Sequence, residues 1–474
     1  MDTMVLLRLN SILFLTLGLL TLVWGPRAAS GQTQNELCQI EVVDAENGWA
    51  VPLVELRTTH NLRFVSDNAG VIALDEPELF DREVWFFVTG HGYEVPLDGF
   101  GYRGIRLKCE RGGRLRVEVR RTAIAKRLGR LTGSGLFAES QKLGLRLDAQ
   151  DAQRPPFPQD GLVVGCDSVQ NAVYQGKMFW AWGDTTFANY PLGVFHMTSA
   201  TTPLQPFAVL RPPLEPRLNY FVDDRGKPRG IAQMPGDGPT WLTGYTTLRD
   251  SSGREHLVAS YRKIEGYLKT YEAGLCVWND QLEQFDHLRT LWRKADGGKV
   301  PALASDGHPA FWTDADGQAW LLFGNPLPQV KLPATFEAWQ DPAQWIALSP
   351  QQTLGTVTGA QVVPHSGSIA WSQFRKRWVT VFVEKSDELP VLGRVWYAEA
   401  ETPLSDWGPA QEIVCHDNYT FYNPRLHPES TDAEQSSVLL FEGTYTAEFA
   451  RHATPTPRYN YNQILYRLDL DDLK

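Results

Sequence analysis

Cysteine is scarce in this sequence, and the cysteines present are not arranged as metal ligands. The 474 residues include five of them, and none forms the Cys-x-x-Cys pair that structural zinc sites use. We therefore expect no metal site of this kind. Cys38 and Cys109 lie near the two ends of one predicted unit, so they can pair in an oxidising compartment. The odd total leaves at least one free thiol, which we interpret as buried and inert.

Positive charge is also in short supply. The chain has 45 Lys and Arg against 55 Asp and Glu, a formal net charge of −10. A surface of this sign repels nucleic acid and anionic membranes, so neither is an expected partner. One local basic run begins at Arg120. Within it, residues 122–131 predict a short basic helix whose solvated face carries the charge, in a linker over residues 122–160.

Long hydrophobic runs are missing except near the N-terminus. Residues 11–24 form one apolar stretch of 14 residues, too short for a comfortable membrane span. Arg8 precedes the stretch and small residues follow it, so residues 1–31 are predicted to be a secretory signal peptide. The expected location is secreted or periplasmic, with no stable membrane insertion after cleavage. Because Asp2 weakens the positive flank, an uncleaved anchor is the alternative.

A first folded unit is predicted over residues 37–121. Short β-rich segments alternate there with turn residues, the pattern of a small β-sandwich: residues 39–43, 53–57, 71–74, 84–89 and 115–120. The motifs Val51-Pro52-Leu53-Val54, Asp67-Asn68-Ala69-Gly70 and Gly90-His91-Gly92-Tyr93 are similar to those of the transthyretin-like, or carboxypeptidase-regulatory, family. The resemblance implies a spacer or adhesion unit and not a catalytic one.

A repeat occupies residues 161–474. Each copy runs from a polar start through a β-strand, turns at a Gly- or charge-rich hairpin, and returns along an aromatic strand. The return strands end near residues 184, 262, 325, 384 and 442, roughly 60 to 80 residues apart. Such lengths suit four-stranded blades around a central channel. The predicted fold class is therefore all-β: a small β-sandwich followed by a five-bladed β-propeller, with six blades as the alternative.

The repeat also predicts where chemistry would occur. In a propeller, the start of each innermost strand and the end of the following strand meet at one mouth of the channel. Polar side chains occupy those positions: Asp167, Asp184, Asp306, His308, Asn325, His365, Glu384, Asn423, Arg425 and Glu442. Carboxyl groups that are held close push their pKa values apart, which yields one acid and one base at a single pH.

The last two thirds of the chain resemble a known group of enzymes. The strand Val395-Trp396-Tyr397-Ala398, with the small-residue turn and the Trp that follow it, is similar to the third-strand motif of five-bladed propeller glycosidases of the arabinanase/xylosidase and invertase/levansucrase type. The resemblance implies catalysis by Asp167 from the first inner strand and Glu384 from a later blade. It also implies that Asp306 is a third carboxylate, which tunes pKa and binds a sugar hydroxyl.

The remaining polar positions are expected to bind substrate: Asp184, His196, His308, Asn325, His365, Asn423, Arg425, Glu442 and Tyr445. Arg425 would suit a uronic acid or a sulfated sugar, because a guanidinium binds such anions through two parallel donors. Structural roles are the alternative, with Asp184 and Glu442 as turn formers and His196 as a core histidine. The run Tyr459-Asn460-Tyr461-Asn462 fits either an aromatic subsite or a closing blade edge. No cofactor is expected, although carboxylates and Asn side chains would also suit Ca²⁺.

Three functions are compatible with these features. The first is a glycoside hydrolase that uses paired carboxylates in the propeller channel, acting on an oligo- or polysaccharide. The second is a polysaccharide lyase acting on uronate sugars, with a His or Tyr base. The third is a non-catalytic carbohydrate- or protein-binding propeller. Ultraviolet absorbance from an unsaturated product would single out the lyase, and binding without turnover would single out the third.

Overall fold

A computed structural model describes residues 36–146, 162–204, 211–298, 307–388, 390–416, 418–430, 436–450 and 454–473. Strands dominate these ranges, and each of the two α-helices within them has five residues, which confirms the predicted all-β class. The predicted signal peptide, residues 1–31, and Asp306 lie outside the described residues. No helix in the described ranges combines the length and apolar character needed to cross a membrane.

The N-terminal unit (residues 38–121) contains two four-stranded sheets. Its strands are β1 (Cys38–Asp44), β2 (Glu55–Thr58), β3 (Arg63–Val65), β4 (Val71–Leu74), β5 (Arg82–Thr89), β6 (Tyr93–Glu94), β7 (Gly104–Cys109) and β8 (Arg114–Arg121). They form sheets of order β4-β1-β8-β6 and β3-β2-β5-β7. Apolar residues from both sheets share one core, among them Ile40, Phe86 and Val117. Strands β3, β6 and β7 were not predicted: β3 and β6 have only three and two residues, whereas β7 does alternate apolar with basic residues and was missed.

Five four-stranded antiparallel sheets follow in the described residues. The connector supplies β9 (Lys126–Arg130), α1 (Ala138–Lys142) and β10 (Val163–Cys166). Sheet one is β11 (Val169–Tyr174), β12 (Lys177–Trp182), β15 (Thr198–Pro203) and β16 (Asn219–Tyr220); β13 (Thr185–Phe187) and β14 (Tyr190–Val194) pair with β10 beside it. Sheet two is β17 (Thr240–Arg249), β18 (Glu255–Glu265), β19 (Lys269–Asn279) and β20 (Gln284–Arg293).

The other three sheets repeat this pattern. Sheet three is β21 (Ala310–Thr313), β22 (Ala319–Gly324), β23 (Pro328–Pro333) and β24 (Ile346–Ala347), with α2 (Phe336–Gln340) inserted and the small pair β25 (Leu354–Gly355) and β26 (Gln361–Val362) after it. Sheet four is β27 (Pro364–Ser372), β28 (Arg377–Glu384), β29 (Arg394–Ala400) and β30 (Gln411–Cys415). Sheet five is β31 (Thr420–Leu426), β32 (Val438–Thr446), β33 (Asn462–Asp469) and, at its edge, β9.

The sheets follow one another in a closed order around their first strands, which is the arrangement of a β-propeller. Apolar clusters fill the spaces between neighbouring sheets, as Ala181 with Leu242 and Leu322 with Phe382 illustrate. Hydrogen bonds link each sheet to the next: Leu242 N–H to Met197 Sδ (2.8 Å), Gly244 N–H to Gly307 O (3.1 Å), Gly367 N–H to Asn325 Oδ1 (2.9 Å), Asn423 N–H to Ser366 Oγ (3.2 Å) and Arg425 Nε–H to Asn171 Oδ1 (3.0 Å).

The connector corrects one prediction. The basic helix expected over residues 122–131 is wrong: residues 126–130 form β9, which pairs antiparallel with β33 and completes sheet five. The expected solvated face is wrong as well, because Arg127 and Arg130 are each only 1% exposed. An open edge of a sheet offers backbone hydrogen bonds that outweigh the local helix preference of Ala, Lys and Arg.

Candidate active site

A cavity of about 300 Å³ opens at the end of the propeller where the first strands begin. Five of the predicted site residues line it: Asp167, Asp184, His308, Asn325 and Asn423. They come from sheets one, three and five, so the repeat brings together residues far apart in the chain. We call this cavity the candidate site.

Local backbone features shape the candidate site. The register of β31 shifts between Tyr422 and Arg425, and Asn423 within this bulge has a φ of 51°. A bulge re-aims side chains, and here both Tyr422 and Asn423 line the cavity. Gly307, with a φ of 89°, approaches Gly324 so closely that a Cβ would lie 1.9 Å from its carbonyl oxygen. Only glycine permits this contact, which holds the chain just before His308.

Asp167 is held by hydrogen-bond donors from two sheets. The Tyr422 hydroxyl donates to Oδ1 (2.7 Å) and the Tyr461 hydroxyl to Oδ2 (2.8 Å). Ser168 donates to Oδ1 through its backbone N–H and its hydroxyl (2.8 Å). Donors of this kind stabilise a carboxylate anion and fix its orientation. Asp167 is therefore a carboxyl group with a fixed orientation at the wall of the cavity.

Asp184, just after β12, is the second carboxyl group of the cavity. Burial, and secondarily the negative charge of Asp167, raise the pKa of Asp184 to about 6. One indole donor opposes this shift, because Trp241 Nε1–H donates to Asp184 Oδ1 (3.2 Å). The cavity therefore holds two carboxyl groups with different surroundings, and the acid and base roles expected from the sequence stay a prediction.

A neutral histidine and a cation complete the charged groups around the cavity. His308 is 5% exposed, and burial, with the nearby charges of Arg425 and His427, holds its pKa well below the usual range. Arg262 lies on β18 opposite Trp241 and also lines the cavity. The cavity therefore combines an aromatic ring, an acid, a base and a cation.

Several predicted residues lie outside the cavity lining. Glu384 ends β28 half-buried, with Arg394 Nε 3.8 Å from its Oε1, and burial raises its pKa. His365 is exposed near the start of β27. His196 precedes the lining residue Met197, and burial, then the charge of Lys263, lowers its pKa. The structure thus does not bring these three to Asp167, and Asp306 lies outside the described residues.

Three other predicted binding residues belong to the interior. Glu442 is fully buried, with Oε1 2.8 Å from Nε2 of His427, and it lies opposite Arg425 in the β31–β32 pair. Arg425 lines a different cavity at the far end of the first strands. Tyr445 is fully buried and stacks on Tyr419 with ring centroids 4.7 Å apart. The expectation that these residues face the candidate site is therefore wrong.

Four residues that line the candidate site or contact Asp167 were not among the predicted site residues: Trp241, Arg262, Tyr422 and Tyr461. Trp241 and Arg262 face each other across the β17–β18 hairpin, where no acidic motif drew attention. Tyr461 belongs to the Tyr-Asn-Tyr-Asn run that the sequence analysis left as subsite or blade edge. In the structure it reaches Asp167 from the loop before β33. The sequence pattern that could have found the three aromatic residues is their placement close to the starts of strands.

Comparison with known proteins is informative only at the level of fold. No protein-family model matches the chain, and no curated protein matches it. It is similar to solved structures of an exo-1,5-α-L-arabinanase from a bovine ruminal metagenomic library (12% identity, TM-score 0.39, 65% of this chain and 95% of that one). It is also similar to exo-β-1,3-galactanases from Phanerochaete chrysosporium (9%, 0.37, 64% and 60%) and Clostridium thermocellum (10%, 0.36, 67% and 60%). At such low TM-scores and identities these likenesses carry no argument about function, which has to come from the site.

The carboxyl groups of the candidate site have partners within the protein. Both oxygens of Asp167 accept hydrogen bonds from hydroxyl groups, and one oxygen of Asp184 accepts from Trp241. In the described part of the chain, no three His, Cys, Asp or Glu side chains are grouped so that they could hold a metal. The Ca²⁺ that carboxylates and Asn side chains would suit stays a prediction from the sequence.

Proposed function

We propose that this protein is an exported glycoside hydrolase whose acid and base are Asp184 and Asp167. The observation that carries the proposal is the pairing of a donor-held Asp167 with an Asp184 whose pKa is raised to about 6 in one cavity. Glycoside cleavage needs one carboxylic acid and one carboxylate flanking the scissile bond. The five sheets would be the complete set of blades, and residues 1–31 would direct the chain to a secreted or periplasmic location.

Each residue has a role in the proposed mechanism. Asp184 would give its proton to the leaving oxygen of the glycosidic bond, while Asp167 activates water or attacks the sugar. Trp241 offers a ring face for the sugar at the wall that also bears Asp184. Tyr422 and Tyr461 would hold Asp167 in place through both steps. Catalysis of this kind needs no cofactor, and the substrate would be an oligo- or polysaccharide.

The first test is a polysaccharide digestion panel read by reducing ends. Asp167→Asn and Asp184→Asn are each expected to lower turnover by about 10²- to 10⁴-fold, the usual range for a general acid or base. Asp224→Asn, which changes an exposed turn residue, is the matched control and should leave turnover unchanged. Normal turnover in both site variants would overturn the proposal.

Glu384→Gln decides between two assignments of the acid. The resemblance to propeller glycosidases implied Glu384, whereas the cavity favours Asp184. We expect Glu384→Gln to retain most of its turnover. A loss as large as that of Asp184→Asn, with Asp184→Asn itself active, would return the acid role to Glu384.

A lyase acting on uronate sugars is the second candidate, favoured by one observation. A neutral His308 and the cation Arg262 line the same cavity, and a lyase needs a base together with a group that neutralises a carboxylate. A rise in ultraviolet absorbance that disappears in His308→Ala would favour the lyase. Saturable carbohydrate binding without any turnover would favour a non-catalytic binding propeller.

A further inference from the structure

The opposite end of the propeller contains a second cavity, larger than the candidate site. Its volume is about 370 Å³, and residues near the far ends of all five first strands line it. Among the described residues, none lines both cavities. We call this cavity the far pocket. Its size lies within the range of small-molecule sites.

Apolar side chains from three sheets are exposed around the far pocket. Trp371 on β27 is 44% exposed, Phe311 on β21 is 54% exposed and Val173 on β11 is 38% exposed. The indole N–H of Trp371 is occupied by Gln373 Oε1 (2.9 Å), so its ring is held in place. Large apolar groups that converge from separate elements on one opening are uncommon on a soluble surface and mark binding sites.

The floor of the far pocket is charged but balanced. Arg425 and Glu429 line it, and behind them His427 lies 2.8 Å from Glu442 and 3.5 Å from Glu429. Burial lowers the pKa of His427, but its hydrogen bonds to the two glutamates raise it overall. Arg425 and Glu429 bring side chains of opposite charge type to the lining, so the floor does not select for a charged ligand. It offers polar contacts to a neutral one.

One buried hydroxyl group beside the far pocket has no hydrogen-bond partner among the described residues. The Thr247 hydroxyl oxygen on β17 is buried, and it makes no hydrogen bond with any group in the described part of the chain. A buried hydroxyl without a partner costs free energy unless something else satisfies it. Together with the aromatic rim, this favours a ligand with hydroxyl groups on one side and an apolar face on the other.

We propose that the far pocket is a second binding site, which takes a neutral sugar ring against Trp371 and Phe311. A pyranose or furanose has C–H faces that pack on aromatic rings and hydroxyls that reach a polar floor. The site is separate from the candidate site and does not depend on the hydrolase proposal, because binding there requires none of the residues that line the first cavity.

Direct binding tests this proposal. The double variant Asp167→Asn/Asp184→Asn prevents turnover and serves as the parent, titrated with galactose, arabinose, xylose and glucose and their disaccharides by saturation-transfer NMR and calorimetry. Adding Trp371→Ala or Phe311→Ala is expected to weaken binding at the far pocket by about tenfold or more. Tyr267→Ala, which removes an aromatic side chain that is 82% exposed on a hairpin tip, is the matched control and should have no effect.

Trp241→Ala shows at which of the two cavities the measured sugar binding occurs, since this substitution alters only the candidate site. Binding that survives Trp241→Ala and falls in Trp371→Ala supports the far pocket. Binding that is lost in Trp241→Ala and kept in Trp371→Ala would overturn the proposal of a second binding site. The absence of binding to the parent across the whole panel would overturn it as well. Glucuronic and galacturonic acids complete the panel, and a preference for them that depends on Trp371 would overturn the neutral class of ligand. Unchanged circular dichroism and melting of each variant exclude unfolding as the cause.

Discussion

At the scale of single residues, the proposed chemistry depends on how the surroundings of two carboxyl groups differ. Asp167 receives hydroxyl donors from Tyr422 and Tyr461, whereas Asp184 receives a single indole N–H from Trp241. Burial, and secondarily the charge of Asp167, raise the pKa of Asp184 to about 6. This raised pKa has measurable consequences for stability.

Asp184→Asn should make the protein more stable at neutral pH while removing turnover. The pKa of Asp184, about 6 when folded against an ordinary 3.8, means that the folded state binds this proton more tightly. Its contribution to stability is therefore complete below about pH 4 and is lost as the pH rises through about 6. Asparagine stays neutral and keeps the acceptor for Trp241, so the free energy of unfolding should rise by about 1–3 kcal/mol above pH 7.

Denaturant unfolding across pH checks this prediction. The gain of Asp184→Asn over wild type should shrink towards zero near about pH 4. Asp224→Asn should show no such trend. A gain that is equal at all pH values would mean that the titration of Asp184 is not its source.

Removing one hydroxyl donor from Asp167 should slow turnover without unfolding the protein. Tyr461→Phe deletes only the oxygen that donates to Oδ2 at 2.8 Å. A hydrogen bond to a charged group contributes roughly 1.5–3 kcal/mol, so turnover should fall by about tenfold or more. Tyr190→Phe, on an exposed tyrosine, is the control.

The residues at the mouth of the channel show which site positions the sequence could predict and which it could not. Asp167, Asp184 and Asn325 line the predicted mouth because the strand that each precedes or follows was predicted with the right ends, while their roles stay predictions. Glu442 was misplaced because β32 runs on to Thr446, which makes it a mid-strand residue and not a strand end. Arg425 follows the bulge at Asn423, which no residue pattern announced. Strand ends and bulges depend on tertiary pairing, so local sequence specifies them poorly.

At the scale of elements, β9 performs two tasks. Its backbone closes sheet five against β33, and the buried guanidinium group of Arg127 reaches the N-terminal unit. Arg127 donates from Nε to Pro52 O (3.0 Å), from Nη1 to His91 O (3.0 Å) and from Nη2 to Gly90 O (2.6 Å). A helix in this segment would have satisfied local propensity but left both the sheet edge and these carbonyl groups without partners.

Arg127→Met should strongly destabilise the protein. The methionine fills similar apolar space but leaves several buried carbonyl oxygens without donors, each of which costs about 1–3 kcal/mol. We expect a loss of at least about 3 kcal/mol in the free energy of unfolding. Arg114→Met, on an exposed strand position, is the matched control. A loss no greater than that of the control would show that Arg127 contributes little to the junction.

The strands β1 and β7 carry a thiol pair that can join the two sheets of the N-terminal unit. Cys38 and Cys109 are buried thiols in the structure, and the hydrogen bond that Cys109 donates to Cys38, together with burial, raises the pKa of Cys109. In an oxidising compartment we expect a disulfide there. Mass spectrometry of protein recovered from such a compartment should show it, and reductant should lower the melting temperature. The double variant Cys38→Ala/Cys109→Ala should not respond to reductant, and two unmodified thiols in the oxidised protein would contradict the pairing.

At the scale of the whole molecule, the N-terminal unit is continuous with the propeller. Leu53 of the N-terminal unit belongs to the same apolar cluster as Ala125 of the connector and Tyr445 and Tyr466 of sheet five. The Tyr459 hydroxyl donates to Ser66 O of the N-terminal unit (2.7 Å). Tyr459 lies two residues before Tyr461, the tyrosine whose hydroxyl donates to Asp167. The spacer role implied by the family resemblance does not account for these contacts, which link the N-terminal unit to the loop of the candidate site.

The propeller is therefore not expected to fold alone. A chain that begins at residue 162 lacks β9, which leaves sheet five with three strands and exposes the apolar cluster around Tyr466. A chain that begins at residue 122 restores β9, but Arg127 then loses its acceptors at Pro52, Gly90 and His91. We expect both shortened chains to aggregate or to melt without a cooperative transition, whereas a chain that begins at residue 36 should melt as a single unit. Calorimetry and size-exclusion chromatography on the three chains check this. A soluble, cooperatively melting chain from residue 162 would show instead that the two units fold independently, and the contacts of Tyr459 and Arg127 would then be dispensable for the candidate site.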